Sequence, residues 1–350
     1  MDRQYYLDLA ALGISMPVAA DLVLHEKADH DAISKDAERF AEVLIETSER
    51  FKIPLALPHM NLELEKHVML KILGIPESEK DTYHFSTIPT DEMVAKLESA
   101  PIEGWNEVLD AHLATTKFVI EKSDLLPVGM CIGPFSLMTK LIADPITPIA
   151  LYGAGVTADE DEEVAIIEKA LEMAVTLILK SIAAQISYGA KAIFIAEPAG
   201  NKVYLSPNQI EAGSDIFEHF VMKHNRKIKK FLDDADVDLI FHCCGELIPE
   251  ILKGYSSLHP VMISLGSSRK LWEDAAIVSK DIVLFGNLPS KKFYSDDLIT
   301  VDQVRELGSE IKRKMKEVGH PYILSSECDV LSVPGCEETI MKKVMAIQFS

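Results

Sequence analysis

The run Ala192-Ile193-Phe194-Ile195-Ala196-Glu197 decides the architecture. Its apolar residues follow one another without a polar face. That is the pattern of a strand covered on both sides, as in a parallel sheet wrapped by helices. Comparable runs recur at Ser15–Asp21, Pro54–Pro58, Leu126–Ile132, Val237–Cys243, Val261–Leu265, Ile282–Gly286 and Tyr322–Ser326, which makes eight candidate strands in all. Helical patterns fill the spaces between them. One covers Asp161–Tyr188. A second opens at Ser206-Pro207-Asn208-Gln209, whose Ser, Pro and Gln read as a capping box, and runs to about Leu232. Further helices are expected at Leu247–Lys253, Ser268–Val278 and Val301–Val318.

Strand followed by helix, repeated around the chain, predicts an α/β fold of the (β/α)8 TIM-barrel type, with a doubly wound sheet as the alternative topology. Residues 62–124 carry more helical and polar sequence than one crossover needs, so an N-terminal helical elaboration is expected there. No Pro/Gly/Ser-rich linker or internal repeat interrupts the chain, and residues 1–350 read as one domain.

Composition narrows the function classes. Apolar residues make up 48 %, enough for a large core, and the 35 basic against 55 acidic residues give a net charge of −20. So acidic a surface repels phosphate backbones and anionic lipid heads, so neither nucleic acid nor a membrane is expected as a partner. The long apolar stretch Val164–Ala190 is interrupted by Glu168, Lys169, Glu172 and Lys180 and reads as a core-facing amphipathic helix. Leu9–Ala20 lacks a basic flank and is broken by Gly13 and Pro17, so a secretory signal is not expected. The cysteines are Cys131, Cys243, Cys244, Cys328 and Cys336. An odd number with two adjacent makes a poor disulfide framework and suits a reducing, cytoplasmic setting in which thiols bind metal or react.

The chemistry concentrates in Phe241-His242-Cys243-Cys244-Gly245, at the end of a predicted strand. Alternation places His242 and Cys244 on one face and turns Cys243 to the other, into packing. A further thiol, Cys328, follows Ser325-Ser326-Glu327 at the end of the last strand. In a barrel the C-terminal strand ends open on one mouth, so His242, Cys244 and Cys328 can converge there. One imidazole and two thiolates suit Zn2+, with a fourth position left for water or substrate. Spacing alone leaves the other reading open, in which these are small buried side chains and one satisfied histidine. Glu197, at a strand end and facing the mouth on this reading, is a candidate fourth ligand, substrate acceptor or general acid, or a residue that supports a ligand from behind. Asp21, with His25 and Glu26, is a weaker candidate. Glu327 is expected to point outward, and His59, His67 and His84 to lie at the surface.

These residues resemble the uroporphyrinogen decarboxylase superfamily, and within it the zinc-dependent, cobalamin-linked methyltransferases: the methylcobalamin:coenzyme M enzymes and the first methyltransferase of acetogen O-demethylase systems. The shared pattern is His-x-Cys with a Cys far downstream, here His242, Cys244 and Cys328. Gly133-Pro134-Phe135, Glu197-Pro198, Leu205-Ser206-Pro207 and Phe285-Gly286-Asn287 match as well. The decarboxylases resemble the chain at Met16-Pro17, but no substrate-binding arginine follows in Val18-Ala19-Ala20-Asp21. Their catalytic aspartate falls near Asn61. The resemblance therefore implies methyl transfer between a small methylated substrate, a methoxylated aromatic being favoured, and the cobalt of cobalamin. The alternatives are a thiol such as coenzyme M as acceptor, or a metal-free decarboxylase-like lyase. The chain carries no Asp-x-His-x-x-Gly motif, so the cobalamin is expected on a separate corrinoid protein.

Overall fold

The computed structural model describes residues 2–349. Its sheet has seven strands: β1 (Leu55–Ala56), β2 (Leu126–Ile132), β3 (Ala192–Ala196), β4 (Asp238–Cys243), β5 (Met262–Leu265), β6 (Val283–Leu288) and β7 (Tyr322–Ser326). They are ordered β1 to β7 in sequence, each parallel to the next. Helices cover the outside, so this is the expected TIM-type α/β barrel.

The eighth expected strand, Ser15–Asp21, is the exception. Only Ser15 bridges to Leu324 of β7, and a helix already begins at Ala20. The physical reason is Pro17, which has no N–H to continue a ladder. One backbone bond and two serine hydroxyls make the junction instead. Met16 N donates to Leu324 O (2.9 Å), the Ser325 hydroxyl donates to Met16 O (2.7 Å), and Val18 N donates to the Ser326 hydroxyl (3.1 Å). Among the described residues no ladder joins β1 to β7.

Register assigns the faces. Met130, Phe194, Ile240 and Met262 are partners across β2 to β5, and one step higher so are Ile132, Ala196, His242 and Ser264. The intervening residues face the helices, as Phe241 does against Tyr255 of the helix Pro249–Ser257, with ring centroids 4.5 Å apart. His242 therefore points into the barrel. The helix Arg3–Ala11 closes the opposite end. Arg3 donates to Pro260 O (2.8 Å) and Asp281 O (2.9 Å), before β5 and β6, and the Tyr6 hydroxyl donates to Asp238 at the start of β4 (2.8 Å). The C-terminal strand ends are left as the mouth.

Helices at Leu64–Leu73, Asp91–Ser99 and Glu107–Lys122 lie between β1 and β2, in the span expected to carry the elaboration. The helix Glu162–Ser187 is long and apolar enough to cross a membrane by composition. Here more than half of its most apolar window is buried in the protein. The expected helix from Ser206 to Leu232 is broken. It stops after Glu211, where Gly213 turns left-handed (φ +90°), and resumes as one π-turn, Glu218–Met222, before Lys223–Asp234. Ser206 does cap Gln209 N, but the Gln209 amide reaches across to Ala150 O (2.8 Å), so no capping box forms there. The box is instead at Thr300 and Gln303, opening Val301–Val318. The predicted helix Ser268–Val278 shrinks to Leu271–Asp274.

Candidate functional site

β4 delivers His242 into the barrel, and Cys244 follows just beyond the strand end. The loop after β5 passes so close that a Cβ on Gly266 would stand 2.5 Å from the Cys244 carbonyl oxygen, so only glycine lets the two loops stack. From the other side of the mouth, Glu327 N donates to Leu288 O (2.7 Å) and the Ser290 hydroxyl to Cys328 O (3.3 Å). These bonds tie the end of β7 to the end of β6 and fix Cys328.

His242, Cys244 and Cys328 offer three donor atoms within 4.8 Å of one another. His242 is buried. Its Nδ1 pairs with the Ser264 hydroxyl (2.8 Å), and its Nε2 has no hydrogen-bond partner among the described residues. An unpaired buried nitrogen costs about 1–3 kcal/mol unless something else takes its lone pair. The thiols are electrostatically linked. Hydrogen bonding from Cys328, helped by the Lys291 ammonium, holds the Cys244 thiol well below its ordinary value, while Cys328 is pushed up by its bond to Cys244 and by burial. The two sulfurs thus lie against each other beside the orphaned nitrogen. This donor set fits a zinc-class ion, for which bonds of about 2.0 Å to nitrogen and 2.3 Å to sulfur need only a slight closing of the group.

Cys243 turns away as expected, buried against Gly200 O and Tyr255. Glu197 does not face the mouth. Its register neighbour Ala196 shares the inward face of His242, so Glu197 points into the helix layer. There it is fully buried and accepts from Phe135 N (3.3 Å), Ser136 N (2.6 Å) and Asn225 Nδ2 (3.2 Å), while burial pushes its carboxyl up.

Asp21 is also buried, in the first turn of the helix Ala20–His25. It accepts from Ser332 N (2.7 Å) and lies 3.4 Å from His59 Nδ1. Burial opposes its ionisation, but the bonds from His59 and Ser332 outweigh that and hold its carboxyl below the ordinary range. His59, expected at the surface, is buried, and its Nε2 meets His112 Nε2 at 3.1 Å. Glu327 likewise points inward, accepting from Ser267 N (3.0 Å). Asn61 caps its own turn, accepting from Glu63 N (3.3 Å), one residue beyond Met60, whose sulfur lies 3.9 Å from Cys328 Sγ. None of Glu197, Asp21 and Asn61 joins the imidazole–dithiol group.

Sequence reasoning missed Ser264, Met60, Asp329 and Lys291. Asp329 accepts from Met60 N (2.7 Å), leaves its other oxygen unpartnered, and is pushed by burial and by the Asp21 charge to about 7. Each sits near a strand end, so a search of all strand ends for polar residues would have reached Ser264, Asp329 and Lys291, though not Met60. Nothing in the local sequence marks them.

Fold and site define a class: parallel α/β barrels with one imidazole and two thiols gathered at the C-terminal mouth. The chain belongs to the uroporphyrinogen decarboxylase (URO-D) family, whose sequence pattern matches residues 13–345. It is similar in fold to a methyltransferase from Methanosarcina mazei, with 17 % sequence identity and a TM-score of 0.63 over 95 % of this chain and 91 % of that one. A B12-independent methionine synthase from Shewanella sp. W3-18-1, in complex with selenomethionine, aligns over 68 % of this chain and 65 % of its own, with 12 % identity and a TM-score of 0.45. No curated protein matches the chain by sequence.

Proposed function

We propose that this protein is a zinc-dependent methyltransferase that moves a methyl group from a small methoxylated aromatic to the cobalt of a cobalamin held by a separate corrinoid protein. The observation that carries this reading is the orphaned Nε2 of buried His242, converging with Cys244 and Cys328 where the strand ends open. The similarity of fold to a methyltransferase supports it. In a decarboxylase-like lyase these three side chains would have no common task.

His242, Cys244 and Cys328 would hold the zinc. When bound, zinc supplies a Lewis acid that withdraws charge from the substrate heteroatom and makes the methyl group easier to remove. The protein's own contribution is positional. Ser264 occupies Nδ1 of His242 and so keeps Nε2 directed at the other two donors. The stacking of the Gly266 and Cys244 loops holds the first thiol in place, and the bonds from Ser290 and Glu327 hold the second. The barrel interior below is lined by buried Phe194 and Met262, which keep water from that side of the site.

The test is zinc content of the purified protein beside His242→Ala and Cys328→Ala, followed by methyl transfer from vanillate to free cob(I)alamin. About one zinc per chain, lost in both variants together with transfer, is expected. A wild-type protein that binds no zinc on reconstitution would return the lyase reading to first place. Transfer to a thiol but not from an aryl ether would replace the substrate and keep the site.

A further inference from the structure

β5 brings no donor to the imidazole–dithiol group, yet this strand and the turn after it, Gly266–Arg269, touch every segment that does. Ser264 pairs with Nδ1 of His242 (2.8 Å), Gly266 packs on the Cys244 carbonyl, and Ser267 N donates to Glu327, the neighbour of Cys328 (3.0 Å). A segment that meets three others can set their spacing only if it is itself rigid. The turn is. Arg269 N donates to Gly266 O (3.1 Å) and closes it. The amide nitrogen of buried Asn287, on β6, donates to both Gly266 O and Arg269 O (2.8 Å each). The Arg269 guanidinium then grips the carboxylate of Asp274 through Nε (3.1 Å) and Nη2, and Asp274 is fully buried at the end of the helix Leu271–Asp274.

The same guanidinium has one more edge. Its Nη1 donates to Leu247 O (2.9 Å), at the far end of the stretch Cys244–Leu247. The turn thus holds that stretch at two points, by Gly266 at its start and by Arg269 at its end. One contact would leave the stretch free to pivot; two fix the direction in which it leaves β4. Its other flank is closed too, since a Cβ on Gly245 would stand 2.5 Å from Asn201 Nδ2. Cys244 needs this support more than His242 does. His242 is paired on both sides, with Ala196 and Ser264, whereas Cys244 lies past the last pair of its strand, Cys243 with Leu265.

Resting on the metal centre proposed above, we infer that Arg269 is a positioning residue for it. Anchored on Asp274, its planar fork locks the Cys244–Leu247 stretch to the turn after β5, and so holds the Cys244 sulfur where it meets His242 and Cys328. Arg269 touches neither metal nor substrate and acts only through the backbone that carries the thiol.

The test loads the whole protein with Co2+, whose sulfur-to-metal charge-transfer absorption grows with the number of thiolates bound, and follows release of the metal to a chelator. Neither readout needs turnover. Arg269→Lys keeps a charge against Asp274 but puts a single nitrogen in place of the fork. Arg269→Met combined with Asp274→Leu removes the pair without stranding a buried charge. In both proteins the band is expected to fall toward that of a single sulfur, as in Cys244→Ala, and the metal to leave about 10-fold faster. Glu197→Ala, which loosens the fold away from the site, should keep the wild-type band and release rate although it unfolds more easily. A wild-type band in either Arg269 variant, or an equal loss in Glu197→Ala, would overturn the positioning role and leave the metal centre standing. A wild-type protein that takes up no cobalt would overturn the metal centre, and the role with it.

Discussion

Glu197 and His242 end neighbouring strands and are joined by a backbone hydrogen bond from Glu197 N to His242 O (2.8 Å), yet the two side chains meet opposite fates. Glu197 is surrounded by donors, three of which it accepts from. His242 has one partner and one bare nitrogen. Both are polar, buried and at the C-terminal end of a strand, so burial and position alone do not separate a structural residue from a candidate ligand. What separates them is whether the protein completes the group's hydrogen bonding by itself.

The comparison can be broken by mutation. The largest effect on folding is expected from Glu197→Ala. It strands Phe135 N, Ser136 N and Asn225 Nδ2 in the interior and should cost about 4 kcal/mol in urea unfolding, with the zinc site unharmed. His242→Ala should do the reverse, losing the metal while the metal-free protein unfolds within about 1 kcal/mol of wild type. Equal destabilisation by the two variants would remove the distinction. Gly133→Ala comes next, because its Cβ would stand 2.3 Å from Glu197 Oε2 and displace the carboxylate from its donors, at about 3 kcal/mol.

Glu65 sharpens the contrast, as a buried carboxyl with a single side-chain partner, the Ser181 hydroxyl at 3.3 Å. Burial pushes it from 4.5 up to about 7. Between those values the folded protein keeps a proton that the unfolded chain has released. Its contribution is therefore fully present below about pH 4.5 and is lost as pH rises to about 7, by about 3 kcal/mol. Glu65→Gln should flatten that part of the curve of unfolding midpoint against pH, and an unchanged slope would show that the proton is not held there. The smallest effect is expected from Ser264→Ala. It frees Nδ1 of His242 and should weaken zinc about 10-fold in chelator competition without changing the donor set.

Much of this was legible in the chain itself. Alternation along Phe241-His242-Cys243-Cys244 separated the inward thiol from the packed one, and the apolar runs marked seven real strands. Position at a strand end misplaced Glu197, because its direction depends on the register of β3 against β4, a non-local quantity. Ser15–Asp21 looked like a strand by hydropathy, yet Pro17 prevents a ladder there. The seemingly superficial His59 is buried because His112, from a helix in the insertion, packs on it. Lys291 and Ser264 gain meaning only when strand ends distant in sequence come together. Those ends are brought together by the barrel, and no local pattern records it.

The junction at Ser15–Val18 has a mechanical meaning. A strand inside a sheet is held by ladders on both sides, whereas the outer edge of β7 meets Ser15–Val18 through hydroxyls and a few backbone bonds. The fastening lies along β7, the strand that leads to Cys328, while His242 and Cys244 ride on β4, several strands away. Slackening the fastening would loosen the outer edge of β7, while the ladders through β5 and β6 keep it joined to β4. Amides of Met16 and Val18 should then exchange with solvent sooner than those of β3 and β4. The spacing of the three donors is, in this sense, set by the ladders that run from β4 to β7.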